Sequence, residues 1–197
     1  MKRYLIMALL LFVFLCSDAQ EKAITTSNTT GAGLSEGARL LFGTAPSKLS
    51  ADQKNALYKK LGLQLNNDHN GFRMDGFAVG AKAYTVDLNK DKVEEIFVIM
   101  DGMLFGNTGQ GVALFTKNSQ QAYELQPEVA GGIAVILDSK TNGYPDLVIA
   151  GPGFEFPLYR WNGRIYTYTR NISDDELQNA STRRVEDLAK VYQKDRH

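Results

Sequence analysis

Residues 86–102 read VDLNKDKVEEIFVIMDG and residues 138–153 read DSKTNGYPDLVIAGPG; these two stretches decide the fold. Each sets a polar run of Asp, Asn, Ser, Lys or Gly, the residues of tight turns, directly before a short apolar run, 96–100 in the first and 147–149 in the second. A turn run followed by β-branched and apolar residues predicts a loop entering a strand. Asp138 follows Asp87 by 51 residues and Asp146 follows Glu95 by the same 51, so the pattern is an internal repeat.

Outward from these stretches, 77–170 continues as short strand-forming runs: GVALFTKN, AYELQ, GIAVILDSKTNG and FPLYRWNGRIYTYTR. Gly, Asn, Asp and Pro separate them. Within the last run, Asn162-Gly163 predicts a type I′ hairpin, because both turn residues favour positive φ. Counting outward pairs Trp161 with Arg164 and Tyr159 with Tyr166, which puts Tyr159, Trp161, Arg164, Tyr166 and Tyr168 on one face. That face is either a ligand platform using stacking and cation–π contacts or part of the core, where large aromatics more often sit.

The flanks have a helical period. Ser35 opens EGARLLFG, closed by Gly43, and Ser50 with Gln53 forms a capping box ahead of Leu57, Tyr58 and Leu61, with Gly62 as the stop. After the strands, Ser173 and Glu176 form another capping-box pattern. Leu177, Ser181, Val185, Leu188 and Tyr192 then recur at helical spacing toward a basic end, which predicts one amphipathic helix over 171–197.

The first residues are set apart from the core. Lys2 and Arg3 precede a short apolar run, 5–15, and Ser17 and Ala19 give a small-residue exit: the layout of a secretory signal peptide cut before Gln20. The apolar run is shorter than the about 20 residues of a membrane span. A lipoprotein anchored through Cys16 is the rival reading, disfavoured by Leu15 where such a signal wants Gly, Ala or Ser. The expected layout is a signal peptide over 1–19, a polar leader over 20–33 and one domain over 34–197. That domain divides into a helical part (34–76), two repeats (77–170) and the C-terminal helix. The fold class expected is α+β, mainly β: an antiparallel sheet or sandwich of two propeller-blade-like repeats flanked by terminal helices, with no transmembrane span in the mature chain.

Composition narrows the function. The chain has 22 Lys+Arg against 22 Asp+Glu in 197 residues. No global field gathers phosphates, and no Lys/Arg block interleaved with aromatics acts locally, so nucleic acid is not an expected partner. At 44% hydrophobic residues the chain has enough apolar content to fold. Its one Cys is Cys16, which would leave with the signal peptide and take thiol chemistry with it. GxSxG, HExxH and CxxC do not occur in the sequence, and its two His are His69 and His197. GNTGQG (106–111) is followed by a strand pattern that offers no helix N-terminus to a phosphate. Glu94 and Glu95 are adjacent, so in a strand they face opposite ways and cannot work as an acid/base pair.

The chemistry that remains lies in the two repeated turns. In 87–95, oxygens from Asp87, Asn89, Asp91 and Glu95, with a backbone carbonyl near Val93, can converge on one hard cation. Calcium, with six to eight oxygen ligands in a forgiving geometry, suits them better than magnesium. Lys92 stands where such a turn favours Gly. In 138–146 the set is partial: Asp138, Asn142 and Asp146 remain, Gly143 supplies the turn, and Lys140 replaces a ligand and offers an internal cation. The alternative for both turns is an Asx-turn scaffold, in which the same oxygens accept backbone N–H groups without metal.

These turns with their strands resemble FG-GAP/VCBS-type repeats, the units of integrin α-subunit propellers and of many bacterial secreted proteins. LFGNTGQGVALF (104–115) resembles the glycine turn and next strand of the same unit, so the likeness covers roughly 84–168. The resemblance implies calcium on the acidic loop, with Asp87, Asn89, Asp91 and Glu95 in the ligand places and Asp138, Asn142 and Asp146 matching in part. It also implies adhesion or recognition in place of catalysis. Two repeats cannot close a propeller, which typically has at least four blades, so a small sandwich or curved sheet is expected.

The function these readings favour is a non-catalytic recognition module, secreted or periplasmic, with a protein or glycan partner in the cell envelope or outside the cell. A second reading is an inhibitor or immunity-type protein for a cell-envelope hydrolase, entering its cleft with the 106–111 or 151–154 loop. A third is a hydrolase with an unrecognised site.

Overall fold

In the computed structural model, which describes residues 33–43, 46–126 and 131–195, helices α1 (Glu36–Phe42) and α2 (Ala51–Lys60) start where the caps place them. The Ser35 hydroxyl accepts the Ala38 N–H, and Ser50 and Gln53 exchange both bonds of the capping box, satisfying N–H groups that the helix leaves unpaired. The segments expected to be a signal peptide (1–19, with Cys16) and, except for Gly33, a leader (20–33) lie outside the described residues, which belong to the unit Gly31–His197.

Two antiparallel sheets follow. The first holds β1 (Gln64–Leu65), β2 (Phe72–Met74), β3 (Phe77–Val86), β4 (Glu95–Asp101), β5 (Gln110–Lys117) and β6 (Tyr123–Leu125) in sequence order. The second comprises β7 (Ile133–Thr141), β8 (Tyr144–Ala150), β9 (Glu155–Trp161), β10 (Tyr166–Ser173) and β11 (Thr182–Arg184), in the order β10-β9-β8-β7-β11. Strands β3–β6 and β7–β10 are therefore equivalent four-stranded meanders. The two acidic turns occupy the same place in each, between its first and second strands.

Both central strands are buried on both faces, which is why their sequences are continuous apolar runs and do not alternate. Along β4, Phe97 and Ile99 point into an inter-sheet core with Leu114, Ile136, Leu147 and Ile149. Ile96, Val98 and Met100 point the other way, onto Leu41 and Leu57 of the two helices. Along β8, Leu147 and Ile149 join the inter-sheet core, and Val148 joins Leu158 and Ile172 on the outer face. Each such side chain contributes roughly 1.5–3 kcal/mol by leaving water. Truncating Phe97, with no exposed surface, would cost about 3–5 kcal/mol.

The structure corrects four sequence expectations. Residues 171–197 are not one helix: α3 (Asp174–Asn179) and α4 (Val185–Lys194) are separated by β11. The open edge of β7 draws Thr182, Arg183 and Arg184 into register with Leu137, Ile136 and Val135. Glu176 does not close a reciprocal capping box; its carboxylate pairs with Arg170. The Asn162-Gly163 hairpin is wider than a two-residue turn, pairing Trp161 with Tyr166 and Tyr159 with Tyr168. The cause is Asn162 Oδ1, which accepts the N–H groups of Arg164 and Ile165 at 2.9 and 3.0 Å, an Asx turn that competes with the type I′ geometry. Finally, the helical segment before 77 also carries β1 and β2, with Asp75 (φ 50°) and Gly76 (φ 85°) turning β2 into β3.

Candidate functional site

The chain leaves β3 at Val86 and closes the 87–94 turn on its own side chains. Asp87 accepts the Asp91 N–H at Oδ1 (3.1 Å) and the Lys92 N–H at Oδ2 (2.9 Å). Asn89 Oδ1 also accepts the Asp91 N–H (3.1 Å), and its amide donates to Asp91 Oδ2 (2.8 Å). Asp91 Oδ1 in turn accepts the Val93 N–H (2.7 Å). The oxygens of Asp87, Asn89 and Asp91 thus face the inside of one turn, which needs left-handed backbone at Lys90 (φ 67°) and Lys92 (φ 70°).

Glu95 opens β4 with no exposed surface. Its Oε2 accepts the Leu88 N–H at 2.7 Å, and its Oε1 accepts the Tyr144 hydroxyl at 3.1 Å. Burial pushes its carboxyl up to about 8; the Asp91 and Asp87 carboxylates push the same way, against the Leu88 N–H and the Tyr144 hydroxyl. Among the described residues, no three His, Cys, Asp or Glu side chains are gathered to hold a metal. In this conformation the turn's oxygens, including the amide of Asn89, hold its own N–H groups.

Its neighbour Glu94 points the other way, as strand geometry requires. The Glu94 carboxylate accepts the Ser47 hydroxyl (2.7 Å) and the Lys48 N–H (2.9 Å), fastening the approach to α2.

The second turn is built differently. Strand β7 runs on to Thr141, and Asn142 (φ 49°) and Gly143 (φ 87°) make a two-residue hairpin that pairs Thr141 with Tyr144. This is the type I′ geometry expected at 162–163, found two hairpins earlier. Asp138, Asn142 and Asp146 therefore do not converge. Asp138 binds the Ser181 hydroxyl and Arg183, which together hold its carboxyl below the usual range. The Asn142 amide donates to the Trp161 carbonyl at 2.8 Å. Asp146, 2% exposed, accepts the Ser139 and Thr141 hydroxyls at 2.9 and 2.7 Å and pairs with Arg160 at 3.3 Å.

The aromatic face packs inward. Tyr159, Trp161 and Tyr166 belong to the inter-sheet core, and Trp161 stacks on Tyr144 with ring centroids 4.3 Å apart. Tyr168 and Arg164 stay exposed. At the opposite end of β4 from the acidic turn, a 3₁₀ stretch (Met103–Thr108) precedes β5, and Thr108 lies against Gly151 of the β8–β9 loop. Met103 and Phe154, on these two loops, are 87% and 85% exposed. His69 is engaged at the surface by Glu36 at 2.8 Å.

Tyr144 and Arg160, the partners of the two buried acids, were not singled out by the sequence. The Asn142-Gly143 pair was the signal available for Tyr144, since a two-residue hairpin fixes where the next side chain points. A cleft of about 770 Å³ opens beside the acidic turn, walled by Asp87, Leu88, Ile136, Lys140, Leu188 and Tyr192.

Comparison with protein-family models, curated proteins and solved structures finds no match for this chain. Among the described residues, no helix is long and apolar enough to cross a membrane.

Proposed function

We propose that this chain is a non-catalytic binding module acting outside the cytoplasm, secreted or periplasmic, in which calcium orders the 87–95 turn. The observation that supports this most is the contrast between two buried acids at equivalent places. Asp146 has Arg160 as its counter-charge. Glu95 has hydrogen-bond donors and two neighbouring carboxylates, but no ion pair to a cationic side chain among the described residues. Buried charges are paired or coordinate metals. A divalent cation taken by Asp87, Asn89, Asp91, Glu95 and the Val93 carbonyl would give the first acid what Arg160 gives the second, and oxygen-only donors suit calcium.

The resemblance to FG-GAP/VCBS repeats supports the same reading, since both acidic turns lie between the first and second strands of four-stranded meanders. The ion's role is structural: it screens three carboxylates and fixes a strained turn. The partner is a protein or glycan of the cell envelope or exterior. Thermal unfolding in EDTA and in millimolar calcium tests the metal. The melting temperature should rise with calcium in the wild type and much less in Asp91→Asn, which keeps the turn's hydrogen-bond acceptor but loses its charge. An identical melting temperature in both buffers contradicts the reading.

One observation favours the second reading, an inhibitor or immunity-type protein for a cell-envelope hydrolase. Met103 and Phe154 project from neighbouring loops with 87% and 85% of their surface exposed, as anchors entering a partner's pocket do. A single stoichiometric hydrolase captured from envelope extracts, inhibited by the wild type and released by Met103→Ser with Phe154→Ser, supports it. Capture of surface polymers supports the recognition module.

A further inference from the structure

Two residues depart from the calcium-turn pattern, and both are lysines on the wall of one cleft. Lys92 stands where the turn favours Gly and pays the left-handed conformation (φ 70°) that Gly would adopt without strain. Lys140, 51 residues after Asn89, replaces a ligand oxygen in the second turn. Lys140 is not internal to its own turn; with Lys92 and Lys90 it lines the cleft of about 770 Å³. Held in this conformation, Lys92 lies on the cleft wall.

The other charges on this cleft are mostly committed. The Lys48 ammonium donates to the Lys92 carbonyl at 2.9 Å, and Arg183 pairs with Asp138 at 2.8 Å. Asp87 takes two backbone N–H groups. The ammoniums of Lys90, Lys92 and Lys140 make no hydrogen bond or ion pair among the described residues, against one further acid on the wall, Asp195. Between them the cleft is apolar, with Leu88, Ile136, Pro145, Leu188 and Val191. Its volume is that of a small-molecule site, roughly 300–1,000 Å³, in which apolar walls carry a few placed polar groups.

We propose that this cleft binds a small amphipathic organic anion, a carboxylate or phosphate carried on an aliphatic or aromatic body. The anion meets Lys90, Lys92 and Lys140, and the body lies on Leu188 and Val191. The inference rests on reading the domain as a binding module and does not require calcium in the turn. The zero net charge of the chain argues against an extended polyanion, which needs a charged track longer than one cleft.

Calorimetric titration of the full chain with octanoate and with phenyl phosphate, in EDTA, tests it, with octan-1-ol and inorganic phosphate as probes of each half alone. Saturable one-site binding is expected for at least one of the two anions, and which one binds separates an acyl carboxylate from an aryl phosphate. The half-probes should bind roughly tenfold or more weakly. Lys92→Gly with Lys140→Asn should cut affinity by roughly tenfold or more. The melting temperature of that variant should hold or rise, because glycine relieves the left-handed position, so lost binding is not lost folding. No saturable heat with either anion, equal binding by the double variant, or equal binding of the half-probes overturns the proposal. A calcium-dependent rise in melting temperature without anion binding overturns this inference and leaves the calcium reading standing. Anion binding without that rise does the reverse.

Discussion

The Tyr144 hydroxyl donates to Glu95 Oε1 at 3.1 Å, a bond that runs from the hairpin of the second meander to the buried acid of the first. The same ring stacks on Trp161 and meets Tyr166 edge-on at 6.1 Å. The acidic turn of one meander is therefore anchored in the aromatic core of the other, and a change at either should be felt at both. Tyr144→Phe keeps the stack and removes the donor. It should lower stability by about 1–2 kcal/mol in urea unfolding at neutral pH and move the pH response of Glu95 further upward, because the lost bond favoured the ionised acid.

The pH response has a definite sign. Glu95 has an ordinary value of 4.5 and is raised to about 8 in the fold, so between these values the folded state holds a proton that the unfolded state has released. Stability from this group is complete below about pH 4.5 and is lost as pH rises through about 8. Without calcium, urea midpoints should fall between pH 5 and pH 8, and Glu95→Gln should flatten that part of the profile. With calcium bound, the acid ionises and the fall should disappear.

Gly143 reports on the hairpin that sets Tyr144. Its φ of 87° lies in left-handed space, and a β-carbon there would meet no heavy atom within 4 Å. Gly143→Ala should therefore cost about 1 kcal/mol from the backbone alone, read as a lower urea midpoint with the slope unchanged.

Gln126 joins the sheets from the other side. Its amide donates to the Thr116 hydroxyl at 2.7 Å and its carbonyl accepts the Tyr166 N–H at 2.9 Å, all out of water. Gln126→Leu leaves both partners unpaired and should cost about 1–3 kcal/mol. Hydrogen exchange should be faster at the Tyr166 amide than in the wild type.

Much of the architecture can be read along the chain because it rests on short-range chemistry. Ser35, Ser50 and Ser173 cap helices within three residues of themselves, and the apolar runs of β4 and β8 are continuous because each strand is covered on both faces. What could not be read depends on contacts between distant segments. Arg183 and Ser181 meet Asp138 because β7 has an open edge, and that pairing interrupts a sequence with good helical spacing. Asn142-Gly143 and Asn162-Gly163 look alike locally. Only the first adopts the two-residue hairpin, since Asn142 donates its amide to the distant Trp161 carbonyl whereas Asn162 folds back on its own turn. Of the calcium candidates, Asp87, Asn89 and Asp91 share one turn with Glu95 beside it, whereas Asp138, Asn142 and Asp146 each have a separate partner. That difference lies in strand register and so was invisible to a motif.

Calorimetric titration of calcium at pH 7 in two buffers of different ionisation enthalpy tests most directly the proposal that Glu95 and its neighbours hold calcium. Calcium must displace the proton that the buried acid keeps up to about pH 8, so saturable heat is predicted, with about one proton released per ion, because metal ligands bind deprotonated. Glu95→Gln should abolish that buffer dependence. No saturable heat up to millimolar calcium, or binding with no proton released, would contradict the account.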